Sequence, residues 1–186
     1  MNLKPAIVLS AVTTIISALL ITAHNLTYVD TSGIITTKLE EKCVSLMGSG
    51  DFMIVSDWLG AGYEIEKPES ISKLILKDDG TEAFEIVADG YNKGGLDLLI
   101  AMNSDGSVKG IEVVSITETP GLGTNVNDRK FLSLFESISE KAVITKKTPV
   151  SSGEVEAVTG ATYSSKGIAA AVNTAISVYR EMGAVK

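Results

Sequence analysis

Five hydroxyl-bearing residues stand within seven positions near the end of this chain, in the run Thr159-Gly160-Ala161-Thr162-Tyr163-Ser164-Ser165. Gly160 and Ala161 carry almost no side chain, so another molecule can approach the backbone closely between the hydroxyls. Directly after them, Ile168, Ala171/Val172, Ala175/Ile176 and Val178/Tyr179 recur at three-to-four-residue spacing, which predicts a helix from Ser164 to Met182. The hydroxyl run therefore opens a helix. A helix N-terminus presents unpaired N–H groups and the positive end of its dipole, which suits a phosphate or phosphodiester at Thr162, with Thr159, Ser164, Ser165 and Lys166 close by. The simpler alternative is that Thr162 or Ser164 only caps the helix with its own oxygen.

A second chemical segment is Thr117-Glu118-Thr119-Pro120-Gly121-Leu122-Gly123. Pro120 fixes one dihedral and restricts Thr119, and Gly121 and Gly123 permit positive φ, so a rigid turn is expected with or without a ligand. Such a turn also offers close backbone approach, N–H donors and the apolar face of Leu122.

The remaining inventory is narrow. Cys43 is the only cysteine and His24 the only histidine, so no disulfide forms within the chain. Ligands for an iron–sulfur cluster, a haem or a structural zinc site are lacking, and no metal site is expected. Cys43 lies among Val44, Leu46 and Met47 and reads as a buried small hydrophobe. With 16 Lys+Arg against 23 Asp+Glu, a net charge of −7 and no basic run, nucleic acid is not expected as a partner. Any redox role would require an organic cofactor.

The elements that position these segments are legible in outline. From Pro5 to Ala23 nineteen residues pass without a charge, roughly 28 Å of helix against a hydrocarbon core of about 30 Å. A membrane anchor over 1–24 is expected, with a cleaved signal peptide as the competing reading. Ser10, Thr13, Thr14, Ser17 and Thr22 can bond back to their own helix or face a partner helix. Charge is too evenly divided around the span to orient it. Gly33 to Met47 reads as an amphipathic helix within a linking segment, 25–50, ended by Gly48-Ser49-Gly50. The rest, 51–186, is expected to form one domain. Strands are predicted at Lys73–Leu76, Ala83–Ala88, Leu96–Met102 and Val108–Ile116, with hairpin residues at Asp78-Asp79-Gly80 and Asn103-Ser104-Asp105-Gly106. A short helix capped by Asn127 or Asp128 runs to Ser137. The class is α+β: one transmembrane helix, then an antiparallel sheet with packed helices.

Taken in order, Gly90-Tyr91-Asn92-Lys93-Gly94-Gly95, a hairpin, Glu118-Thr119-Pro120-Gly121-Leu122-Gly123 and Thr159-Gly160-Ala161-Thr162 resemble the FMN-binding domain shared by the G subunit of the Rnf complex and the C subunit of the sodium-pumping NADH:quinone reductase. The resemblance covers roughly 90–179. It implies FMN esterified through its phosphate to the Thr162 hydroxyl, with Thr159, Gly160, Ala161, Ser164 and Ser165 around the attachment point. Glu118, Thr119, Gly121 and Leu122 would meet the flavin ring. Attachment would be made by a separate FMN transferase using FAD, and no residue of the chain would act as a catalytic acid, base or nucleophile in electron transfer. The family commonly carries Asp three residues before the Thr-Gly-Ala-Thr unit, where this chain has Glu156, one methylene longer.

The length of 186 residues fits the Rnf protein better than its longer quinone-reductase counterpart. The resemblance thus implies a single-pass subunit in the cell membrane with its large domain extracytoplasmic. It would relay electrons within an ion-translocating ferredoxin:NAD⁺ oxidoreductase, among other membrane and redox subunits. A quinone-reductase subunit, a stand-alone flavin carrier and a membrane-tethered assembly module without flavin are the alternatives.

Overall fold

The computed structural model describes residues 4–27, 34–63, 65 and 67–183, which fall into two units divided between Thr31 and Ser32. The first unit is α1, Lys4–Thr27. Its Ile7–His24 span has a mean hydropathy of 2.0 and is long and apolar enough to cross a membrane. The hydroxyls of Ser10, Thr13, Thr14, Thr22 and Thr27 bond back to carbonyls of their own helix. Ser10 donates to the Ile7 carbonyl at 2.9 Å, Thr14 to Ser10 at 2.8 Å and Thr22 to Ala18 at 2.8 Å, so they expose less polarity than the sequence alone suggests.

The second unit is built on a five-stranded antiparallel meander in chain order: β1 Phe52–Val55, β2 Ile71–Lys77, β3 Glu82–Ala88, β4 Leu96–Met102 and β5 Val108–Ile116. The expected strands are all present. β1 was not predicted, and neither was a small parallel pair, β6 Val143–Thr145 with β7 Glu154–Glu156. Helices cover both sheet faces. α4, Thr162–Gly183, buries Ile168, Val172, Ala175 and Ile176 against the face carrying Phe84, Ile86, Leu98 and Ile100. α2, Thr37–Met47, lays Leu39, Cys43 and Met47 on Ile75, Ala83, Leu99 and Ala101 of the other face. The alternation along β4 explains this, since Leu98 and Ile100 point one way and Leu99 and Ala101 the other. The span 25–50, expected as a link, thus contributes an outer layer of the domain through α2; residues 28–33 lie outside those described.

α3 is the short segment Arg129–Ser133, capped by Asp128, whose side chain accepts from the Lys130 N–H at 2.7 Å. It follows a 3₁₀ turn, Gly123–Asn127. Cys43 is fully buried, and burial followed by the charges of Glu85 and Glu40 pushes its thiol up to about 11. It is therefore a packing residue, as its apolar neighbours suggested.

The α2 face also holds charge. Lys73 and buried Glu85 form an ion pair at 2.5 Å, and beside them Asp97 Oδ1 is buried with no hydrogen-bond partner among the described residues. Burial, then the negative charge of Glu85, push Asp97 up to about 6 against the pull of Lys73 and Lys38. A carboxyl whose folded pKa exceeds its unfolded value binds its proton more readily in the native state. Its destabilisation is full above the folded pKa and fades as pH falls toward the unfolded value. Asp97→Asn is therefore expected to stabilise the domain at pH 7 by on the order of 2 kcal/mol. The gain should shrink between about pH 6 and pH 4, as read by urea unfolding at both pH values.

Candidate functional site

The hydroxyl run begins its structural work at β7. After Glu156 the chain turns through Val158–Ala161, closed by the Ala161 N–H donating to the Val158 carbonyl at 2.9 Å, with Gly160 at φ +79°. That angle explains the glycine. The Ser165 N–H then donates to the Ala161 carbonyl at 2.8 Å, the first i→i−4 bond of α4. Ala161 thus occupies the N-cap position, and it has no side-chain oxygen with which to cap. Ser165 does its work behind the turn: its hydroxyl accepts from the Val158 N–H at 3.1 Å and donates to the Ala161 carbonyl at 2.9 Å. Neither Thr162 nor Ser164 is the helix cap. Thr162 is half-buried at the first helical position, and its hydroxyl has no protein partner among the described residues.

The opposing wall is the loop after β5. Thr119–Gly123 is closed by the Leu122 and Thr124 N–H groups donating to the Thr119 carbonyl, both at 3.2 Å. The Gly121 N–H donates to Thr124 Oγ1 at 3.0 Å, and Asn125 Nδ2 to the Gly121 carbonyl at 2.9 Å. Gly121 lies at φ +73°. The turn is rigid on its own bonds, as Pro120 and the glycines imply, and it presents a half-exposed Leu122 outward.

Glu118 fastens the two walls together. It is 4% exposed, and its carboxylate accepts from the Asn92 N–H at 2.9 Å, the Tyr91 N–H at 3.0 Å and the Ser164 hydroxyl at 2.5 Å. Burial alone would raise its pKa. The bond from Ser164, then those from Asn92 and Tyr91, outweigh burial and hold it below the usual carboxylate range. Three glycines make room for it: a Cβ on Gly90, Gly95 or Gly123 would come within 2.7, 2.3 or 2.6 Å of a Glu118 carboxylate oxygen.

Between the walls is a cavity of about 340 Å³. Gly160, Ala161, Thr162 and Ser164 line one side, Thr119 and Leu122 the other. Six of the residues expected from the sequence are thus brought together. Glu118 and Ser165 stand behind the lining and brace it, whereas Thr159 and Gly121 are exposed and lie outside it. Tyr91, Gly123 and Tyr163 complete the cavity and were not anticipated as site residues. The two tyrosines meet edge to face, ring centroids 6.2 Å apart and planes at 72°, and both are largely exposed. The available signal was their sequence position, each beside a glycine-rich or hydroxyl-rich turn.

An uncapped helix start, an unpartnered threonine hydroxyl, small residues and an apolar-aromatic surround fit a phosphorylated planar ring system. With such a group bound, the helix N–H groups would meet its phosphate, and Leu122 and the tyrosines would flank its ring. The site lies on an α+β domain, and residues 90–177 match the FMN-binding domain family. The chain is 31% identical over 126 residues to the G subunit of the Na⁺-translocating ferredoxin:NAD⁺ oxidoreductase complex of Acetobacterium woodii, covering 63% of this chain and 60% of that protein. To the G subunit of the proton-translocating ferredoxin:NAD⁺ oxidoreductase complex of Clostridium ljungdahlii it is 34% identical over 101 residues, covering 54% and 55% respectively. The chain thus spans little more than half the length of these relatives. In fold it is similar to the C subunit of the Na⁺-translocating NADH-quinone reductase from Parabacteroides distasonis, with a TM-score of 0.53 at 19% identity over 78% of this chain and 82% of that one.

Proposed function

We propose that this chain is the G-type flavoprotein subunit of an Rnf-type ferredoxin:NAD⁺ oxidoreductase, anchored by α1, with FMN joined to Thr162 by a phosphoester. The observation that carries the attachment is the Thr162 hydroxyl, free of protein partners among the described residues, at an uncapped helix start in the cavity wall. The similarity to two G subunits favours the Rnf assembly over the quinone reductase, to whose C subunit the likeness is one of fold.

In this reading the chain's residues bind and orient. The first-turn N–H groups of α4 and its dipole stabilise the phosphate charge. Ser165 and Gly160 hold the turn that presents Thr162, and Leu122 with the Tyr91–Tyr163 pair shields the ring from water. When bound, FMN supplies one-electron exchange, which no other group in this chain offers. In maturation the Thr162 oxygen forms the new bond to the FMN phosphorus of FAD while the bond to AMP breaks and the hydroxyl proton leaves; a separate FMN transferase catalyses this. A covalent tether keeps the carrier loaded outside the cytoplasm, where lost FMN has no local pool to replace it.

Membrane placement gives the first test. Protease added to right-side-out spheroplasts is expected to remove the 32–186 domain and with it the protein's ultraviolet-excited fluorescence in denaturing gels. A fluorescent band that survives in intact spheroplasts and disappears only after lysis would put the domain on the cytoplasmic side.

A further inference from the structure

The Glu118 carboxylate is an unusual thing to place behind an apolar cavity. It is nearly sequestered from water, yet it is held by three donors of the kind that favour the ionised form, from Tyr91, Asn92 and Ser164. It touches the cavity at two points without lining it: Ser164, to which it bonds, and Gly123, whose Cβ, if present, would strike it, are both wall residues. No Lys or Arg is among its hydrogen-bond or ion-pair partners in the described residues. Its charge is therefore fixed, poorly screened and one side chain away from whatever occupies the cavity.

We propose that Glu118 is the residue that tunes the redox potential of this site, its buried negative charge holding the bound flavin at a lower potential than the same cavity would without it. The inference rests on the flavin reading above. Its physical basis is simple: adding an electron to a flavin adds negative charge to the cavity, and a fixed anion behind the wall opposes that addition. The same carboxylate ties the 90–92 turn, the loop after β5 and the start of α4 together, so it is a positioning residue as well. The two roles make different predictions.

The test uses the full chain, flavinylated and purified in detergent, with the adduct confirmed by intact mass and the midpoint read by spectroelectrochemical titration. Glu118→Gln keeps shape and removes charge. It is expected to favour reduction about tenfold, a positive shift of about 59 mV for a one-electron couple. Glu118→Asp restores the charge and should return the midpoint toward the parent. Ser164→Ala loosens the network but keeps the carboxylate, and should shift the midpoint by less than half as much. Equal shifts in Glu118→Gln and Ser164→Ala, or no shift in a loaded Glu118→Gln, would overturn the proposal. Should Glu118→Gln fail to fold, the parent still decides: with ¹³C-glutamate labelling, its redox-difference infrared spectrum should contain a perturbed ionised carboxylate band, and a spectrum without one contradicts the proposal. A parent protein that carries no flavin adduct overturns the attachment reading itself, and this inference with it.

Discussion

Thr162→Val is expected to abolish covalent flavin completely while leaving the domain folded. Valine keeps the branched shape and nearly the volume of threonine and removes the one atom that can form the phosphoester. The structure sharpens the stability side of this result. Loss of a capping hydroxyl typically costs about 1 kcal/mol, but the N-cap position belongs to Ala161 and the Thr162 hydroxyl makes no protein bond among the described residues. The melting temperature should therefore stay within a few degrees of the parent. Thr162→Ser should retain some modification. In denaturing gels under ultraviolet light the parent should fluoresce and the valine variant should not. If fluorescence persists, Thr159 is the next acceptor to examine, because Ser164 and Ser165 are buried and already engaged with Glu118 and with the Val158–Ala161 turn.

Gly167→Ala is expected to destabilise the domain, against the ordinary preference of helices. In an exposed helix interior the change would gain about 1 kcal/mol. Here the added Cβ would lie 2.3 Å from the Asp89 carbonyl oxygen and 2.7 Å from Leu96 Cδ1. Backbone cannot yield as a side-chain end does, so α4 must lift away from the end of β3. Overpacking of this kind costs about 3 kcal/mol, leaving a net loss of about 2 kcal/mol after the propensity gain. For a domain of this size that is a fall of roughly 4–8 °C in melting temperature. Because α4 carries Thr162 in its first turn, flavin loading should fall as well. Unchanged melting and loading would mean that the close seating of α4 on the sheet does not position the site.

What could be read from the sequence, and what could not, follows from the range of the interactions involved. β3, β4 and β5 were legible because Asp78-Asp79-Gly80 and Asn103-Ser104-Asp105-Gly106 are local turn signals and the runs between them are long and apolar. β1 was not: it has four residues, pairs only along one edge with β2, and its neighbour in the sheet lies nearly twenty residues on. The β6–β7 pair is three residues each and parallel, a pairing with no local turn to announce it. At the site, the wall formed by Gly160, Ala161, Thr162 and Ser164 was legible because those residues lie in one contiguous run. Glu118, expected to meet a flavin ring, stands behind the cavity lining. Its side chain faces the protein because Gly90, Gly95 and Gly123, distant in sequence, leave a hole of its size, and no single segment encodes that convergence. Tyr91 and Tyr163 meet only after folding, across more than seventy residues of chain.

The central claim is that Thr162 carries FMN, and peptide mass mapping tests it most directly. The full chain, isolated from cells that contain an FMN transferase and digested under denaturing conditions, should yield the peptide spanning Thr162 with the mass of one FMN less water. Fragmentation should place the addition on that residue. An unmodified Thr162 peptide at full stoichiometry, or an adduct mapped elsewhere in the chain, would contradict it.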